Sequence, residues 1–308
     1  MKQKHRKYLS ADRTFHAALR FWVVFAAVYL ALKTAHCTEW VGSVDSDFTN
    51  ARNWKDDKGH AVPAAPSAAT INETRLSVVN STGFPLRITE RENGAGFSEE
   101  LLIGGTPGGP GEIIVSGGEV AFQQTYHAII GQTKMGKMSV EGGKVLIQGG
   151  SSDEDIPQCE AIWSLYLGNE KTGQGELDVA GGEVRVENGL EIGRRGSSAA
   201  LQVSGNGQFI CNGAILFTGG DGLKRITLGK GDGLFKQNNS SEILFLGDNG
   251  WINFHRGSRC KLSLYGRDKV ALERMVAEGR IRIDDRQTTP DHFIFRKVGN
   301  QEECQLTP

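Results

Sequence analysis

LLIGGTPGGPGEIIVSGGEV (residues 101–120) decides the fold, because its pattern returns three more times downstream. AIIGQTKMGKMSVEGGKV (128–145), LYLGNEKTGQGELDVAGGEV (165–184) and LEIGRRGSSAALQVSGNGQF (190–209) repeat it. Each reads apolar-x-apolar-Gly, a variable glycine turn, then apolar-x-Val-x-Gly. The glycines closing the first short run are Gly104, Gly131, Gly168 and Gly193, spaced 27, 37 and 25 residues apart. A period near 25 with two or three short strands per unit is the mark of a β-solenoid. Strand side chains alternate between faces, so residues two apart share a side. The inward pairs of the valine strand are then Ile113/Val115, Met138/Val140, Leu177/Val179 and Leu201/Val203. Those of the glycine-ended strand are Leu101/Ile103, Ala128/Ile130, Leu165/Leu167 and Leu190/Ile192. Coils stacked about 4.8 Å apart would align these pairs into interior columns.

Working outward, AILFTGG, ITLGKGDGLF and ILFLGDNGWINF carry a weaker form of the repeat to about residue 254. The repeats thus span 76–255, flanked by an N-terminal cap over 38–75 and a closure over 256–308. In the closure, Asp268 to Gly279 reads as a helix with Asp268 as N-cap and Gly279 as its stop. RIRID (280–284) and HFIFRKV (292–298) read as strands, which makes the closure a small α+β unit. In the cap, Trp40, Phe48 and Trp54 punctuate a polar, turn-rich segment. A solenoid must shield the open end of its core, so an aromatic cap is one reading; a sugar-stacking platform of Trp40 and Trp54 is the other.

The opening W-x-G…D-F-x-N-A-x-N-W…P…A-x-I, followed by L-x-I-G…G-x-L-x-V-x-G-G-x-V units, resembles secreted bacterial proteins with autotransporter-like β-strand repeats. These are common among planctomycete-type bacteria and often carry a C-terminal sorting signal of the PEP-CTERM kind. The resemblance covers most of 38–284, and its motifs are glycine-driven. It implies an all-β, right-handed parallel β-helix and a cell-surface or extracellular role. The chain departs from that pattern at EECQLTP, which is polar and has no hydrophobic sorting helix. The anchoring mode therefore stays open.

Residues 1–37 read as a signal peptide. Six basic residues from Lys2 to Arg20 precede the twelve-residue apolar run Phe21–Leu32. As a helix that run spans about 18 Å, short of the ~30 Å hydrocarbon core. Ala35 and Cys37 suit a signal peptidase site, which places the mature start at Thr38 and leaves no membrane insertion after cleavage. The leader holds seven basic residues and one acid, so 28 Lys+Arg against 35 Asp+Glu remain, a net charge near −7. An acidic exported chain is a poor match for nucleic acid.

No CxxC, HxH, HExxH, GxSxG or P-loop pattern occurs. Cys159, Cys211, Cys260 and Cys304 allow three disulfide connectivities, and spacing does not choose among them. The insertion GSSDEDIPQCEAIW (150–163) gathers Asp153, Glu154, Asp155 and Glu160. Carboxylates at that density could hold Ca²⁺ or form a solvated acidic loop. No other cofactor is expected. Asn72, Asn80, Asn238 and Asn239 head glycosylation sequons.

Stacking the repeats puts Glu112, Lys137 and Glu176 in one outward column, and Glu119, Lys144 and Glu183 in a second. Both alternate in sign, which would help to fix coil register. Arg194 and Arg195 should likewise meet Glu170 and Lys171 of the preceding coil. The expectation is a non-catalytic structural or adhesive surface protein whose partners are polysaccharide or another cell-surface protein. The alternatives are a β-helix polysaccharide lyase or glycosidase and a glycan-binding module. An enzyme should bring ionisable residues from three neighbouring coils into one groove, whereas a scaffold should show paired ladders.

Overall fold

The computed structural model describes residues 38–56, 60, 76–78, 84–92, 95–97, 101–105, 109–123, 127–149, 163–238, 243–299 and 301–307. The leader 1–37, Asp153, Glu154, Asp155, Cys159, Glu160, Asn72, Asn80 and Asn239 lie outside these residues. Within Cys37–Pro308 the chain is a parallel β-solenoid of about 7 turns, each contributing one strand to each of three sheets.

The first sheet runs from Trp54–Asp56 and Thr38–Trp40 through Leu76–Val78, Leu101–Ile103, Ala128–Ile130, Trp163–Leu167, Gly189–Ile192 and Ile215–Phe217 to Ile243–Phe245. The second runs from Leu86–Ile88 through Gly111–Val115, Met135–Val140, Gln174–Val179, Ser198–Gly205, Lys224–Gly231 and Gly250–Phe254 to Ile281–Ile283. The third starts at Ala95–Phe97 and passes through Glu119–Gln123, Lys144–Gln148, Glu183–Val186, Gln208–Cys211 and Leu234–Gln237 to Lys261–Tyr265. An antiparallel hairpin, Phe293–Val298 with Gln301–Leu306, closes that third sheet.

The interior columns are those expected. Leu86, Ile113, Met138, Leu177, Leu201, Ile226, Ile252 and Ile281 follow one another in register down the second sheet. All are buried in one continuous core. Larger rings stack from coil to coil: Phe209 lies on Phe235 at 5.2 Å and Phe217 on Phe245 at 4.5 Å between centroids. The repeat glycine has a steric cause at the corner it forms. Gly131 has φ +82, and a Cβ there would fall 2.2 Å from the carbonyl oxygen of Gln174 in the next coil. No L-residue fits that corner without moving the coil below.

The N-terminal segment is a cap. Thr38–Trp40 extends the first sheet in parallel with Leu76–Val78, and Trp54–Asp56 pairs antiparallel on its outer edge. Trp40 and Trp54 pack edge to face at 5.0 Å, with Phe48 against Trp54 at 5.2 Å. Their indole N–H groups donate to the carbonyls of Phe84 (3.2 Å) and Phe48 (2.9 Å). Both indoles are buried, at 0 % and 1 % exposure, so the sugar-stacking reading of Trp40 and Trp54 is corrected: neither presents a ring face to solvent.

The closure contains the expected helix over Lys269–Ala277; the Asp268 carboxylate accepts from the Ala271 N–H at 2.8 Å. Leu272, Met275 and Val276 form its buried face, and Gly279 ends it at φ +70. One boundary differs from the sequence reading. The solenoid continues past 255, since Lys261–Tyr265 adds a parallel strand with Leu262 and Leu264 inside. Within the closure, the polar end contributes to a strand that the sequence reading did not include, Gln301–Leu306, whose inward residues are Cys304 and Leu306. Two apolar side chains in six residues suffice once the partner strand is already there.

The register generates a first test. Val179→Asp would bury an uncompensated carboxylate between two coils, at a cost of about 4 kcal/mol or more. Ala200→Asp, outward between Glu176 and Arg225, should change the unfolding midpoint little. Thermal unfolding of the two variants compares them directly, and equal losses would invert the inside and outside assignment.

Candidate functional site

Odd-numbered positions of the first sheet at Leu165 and Leu167 point inward, so Tyr166 between them points out. Yet Tyr166 is only 1 % exposed. With Leu102, Ile129 and the partly buried Trp163 it forms a second, small apolar cluster outside the core. Leu102, Ile129, Tyr166 and Glu191 are successive members of one outward column.

Polar groups converge on this tyrosine from the coils on either side of it. The His127 ring stands edge to face on it at 4.7 Å, with Nδ1 2.8 Å from the Trp163 carbonyl oxygen. The Arg194 guanidinium lies over the same ring at 4.9 Å, and its Nε is 3.8 Å from Glu191 Oε1. Glu191 is itself buried, at 6 % exposure. Sequence reasoning missed the group because outward Tyr166 looks like any strand aromatic and His127 precedes a strand with no partner in view. The usable signal was the column itself, since Tyr166 and Glu191 follow from the same alignment that gave the charge ladders.

Arg194 reaches the cluster because the chain turns sharply there. Gly193, Arg195 and Gly196 have φ of +75, +52 and +82, so the GRRG corner holds a non-glycine residue in the left-handed region. Such a residue stores strain that surrounding contacts must hold. The corner sends its arginines apart: Arg194 turns back onto Tyr166, while Arg195 pairs with Glu170 one coil earlier. That cross-coil pair is the one expected. Arg195 and Lys171 then line a shallow cleft of about 390 Å³ with Gly196, Thr218 and Asp221.

Beneath this corner lies Lys224, wholly buried at an inward position. Its ammonium donates to the carbonyls of Gly220 (2.9 Å) and Gly222 (2.7 Å). Burial pushes its pKa down, opposed by the nearby Asp221 carboxylate. Its stem fills the space beside Gly193, where a Cβ would come within 2.4 Å of Lys224 Cγ. The lysine is thus a strut that fixes two successive corners.

The two charge columns fall in the expected register. Lys137 stands between Glu112 and Glu176, and Lys144 between Glu119 and Glu183. Their contacts differ. Lys137 Nζ is 3.3 Å from Glu112 Oε1, whereas Glu183 is engaged at 3.0 Å by Arg185 of its own strand. Outward beside Lys137, the Asp178 carboxyl is held above the usual range by burial, with Lys137 opposing the shift.

The D-F-x-N-A-x-N-W motif serves the cap. The Asp45 carboxylate accepts from Asn53 Nδ2 (2.6 Å), Asn50 Nδ2 (2.9 Å) and the Asp47 N–H (2.9 Å). Asn53 is fully buried, and its Oδ1 accepts from the Val44 N–H at 2.9 Å. The Asn53 hydrogen bond chiefly, with those from Asp47 and Asn50, holds the Asp45 pKa below 3.8.

Cys211, Cys260 and Cys304 are buried free thiols, so none of the three is joined to another. Burial pushes the Cys211 thiol up to about 12 and raises Cys260 and Cys304 as well. Among the described residues no group of three or more His, Cys, Asp or Glu side chains is gathered as metal ligands would be, and no helix is long and apolar enough to cross a membrane. The Ca²⁺ reading rested on Asp153, Glu154, Asp155 and Glu160, outside those residues. No protein-family model matches the chain, and no curated protein or solved structure gives a significant match.

Two tests follow. Because the folded pKa of Asp45 is depressed, its stabilisation is fully present above 3.8 and is lost as pH falls through the lower folded value. Asp45→Asn should therefore lower the unfolding midpoint at pH 6 and shrink the difference from wild type below pH 3.8, as read from midpoints across the acid range. For the ladders, Lys137→Glu should destabilise more than Lys144→Glu at low salt, by about 0.2–1 kcal/mol per exposed pair. High salt should recover much of the loss in thermal melts, since screening weakens exposed pairs.

Proposed function

We propose that this chain is an exported, non-catalytic β-solenoid with a structural or adhesive role at the cell surface or outside the cell, acting after removal of residues 1–37. One observation carries the reading: ionisable side chains on the outer faces are taken up in coil-to-coil pairs. Lys137 meets Glu112 at 3.3 Å, Arg225 meets Asp285 at 2.8 Å, and Arg259 holds Asp232 through two contacts of 2.7 and 2.8 Å. Arg195 and Glu170 do the same across the GRRG corner. Charges paired with one another in this way fix coil register. Polysaccharide or another surface protein is the partner class, and the acidic balance disfavours nucleic acid.

The glycan-module alternative loses its proposed platform with Trp40 and Trp54 buried. The enzyme alternative is favoured by a different observation, the convergence of His127, Tyr166, Glu191 and Arg194. Against it, Tyr166 and Glu191 are sealed at 1 % and 6 % exposure, and a general acid or base must reach the proton it moves. A panel of neutral and acidic polysaccharides incubated with exported protein separates these readings. The surface-scaffold reading expects retention on one polymer or on cells, no new chain ends, and a mature N-terminus near Thr38. Release of reducing or unsaturated ends, abolished by Tyr166→Phe, would replace it with the enzyme.

A further inference from the structure

The three sheets do not end alike. The third is closed by its antiparallel hairpin, and the second ends at Ile281–Ile283, which bridges back to Arg286. The first sheet stops at Ile243–Phe245, because the next coil supplies the helix Lys269–Ala277 where a strand would fall. Ile243–Phe245 pairs in parallel with Ile215–Phe217, and the Leu246 N–H donates to the Phe217 carbonyl at 2.8 Å. Backbone groups alternate sides along a strand. Those of Ile243 and Phe245 therefore face away from Phe217, toward an edge that no strand among the described residues occupies.

That edge opens on a slot of about 340 Å³, walled on the far side by Ala271 and Met275 of the helix. Arg267, Arg274 and Arg280 line it with one acid, Glu278, and Arg280 is itself paired with the Asp248 carboxylate at 3.4 Å. Arg280 is fixed in place, donating to the Gly247 carbonyl at 2.6 Å and stacking over Phe245 at 5.0 Å. Arg274 is exposed and has no ion-pair partner among the described residues. Leu244 and Leu246 beside the edge are 44 % and 54 % exposed.

An uncovered strand edge offers backbone hydrogen bonds to any extended chain, and flanking side chains select which one. We propose that the slot between Ile243–Phe245 and the helix docks an extended, acidic peptide segment of a partner protein. The segment adds one strand to the first sheet, sets apolar side chains against Met275 and Leu244, and places carboxylates by Arg274 and Arg267. The inference stands apart from the surface-scaffold reading, and polysaccharide binding or cleavage bears on neither its success nor its failure.

The test is fluorescence polarisation of the full chain with a short labelled peptide alternating glutamate and valine. Saturable binding is expected. It should weaken about tenfold or more with Arg274→Glu, with alternate backbone N-methylation of the peptide, and with lysine in place of glutamate. Arg274 is exposed, so an unchanged melting midpoint will show that the variant is folded. No binding overturns the proposal, as does equal binding by the N-methylated peptide or by Arg274→Glu. Sedimentation that finds a dimer from which the peptide is excluded also overturns it, by making a second copy the occupant.

Discussion

Every part of this molecule depends on one constraint: each coil must lay its backbone in register on the coil before it. Parallel pairing satisfies the peptide groups only if consecutive coils put strands at the same height and angle. The eight-membered column from Leu86 to Ile281 is the side-chain expression of that requirement. A polar residue at such a position must bring its own partners, as Lys224 does with two carbonyls. Because hydrogen bonding and burial demand the same register, a local slip loses both together.

The corners follow from that constraint. Three flat strands per coil require turns tight enough that neighbouring coils nearly touch, which is why Gly131 has no room for a Cβ. Where a non-glycine residue enters a corner, as Arg195 does, it is held by an ion pair across coils and by the buried strut below. Outer-face charges then act as register marks more than as sources of stability, since exposed pairs are individually weak.

Ends pose the opposite problem, for a stack that is open at its last coil exposes both core and backbone. At the N-terminus Trp40, Phe48 and Trp54 plug the core while Trp54–Asp56 covers the outer strand edge. Asp45 and Asn53 brace that plug through hydrogen bonds, so the asparagines of the opening motif serve the packing of the cap. At the C-terminus a hairpin covers the third sheet and a helix replaces the first-sheet strand, so that among the described residues no strand pairs with the outer edge of Ile243–Phe245. The asymmetry comes from the closure's own period, not from the repeat.

The sequence by itself determined the repeat, the inward residues of each strand, the helix after Asp268 and the register that aligns Lys137 with Glu112. Each is a matter of local spacing: strand alternation, glycine corners and capping act within one coil or between coils of known offset. It could not determine the fate of the tryptophans, because an aromatic cap and an aromatic platform have the same composition and differ only in what lies on the rings. Nor did it reveal the strand at Gln301–Leu306, whose two inward residues become a pattern only beside Lys261–Tyr265. The cluster around Tyr166 was legible in part, since alignment pairs Tyr166 with Glu191, but His127 and Arg194 arrive from corners whose direction no spacing rule gives. Tertiary structure decided those cases because burial belongs to the assembled stack: a side chain is inside only when some other coil, cap or corner has been placed over it.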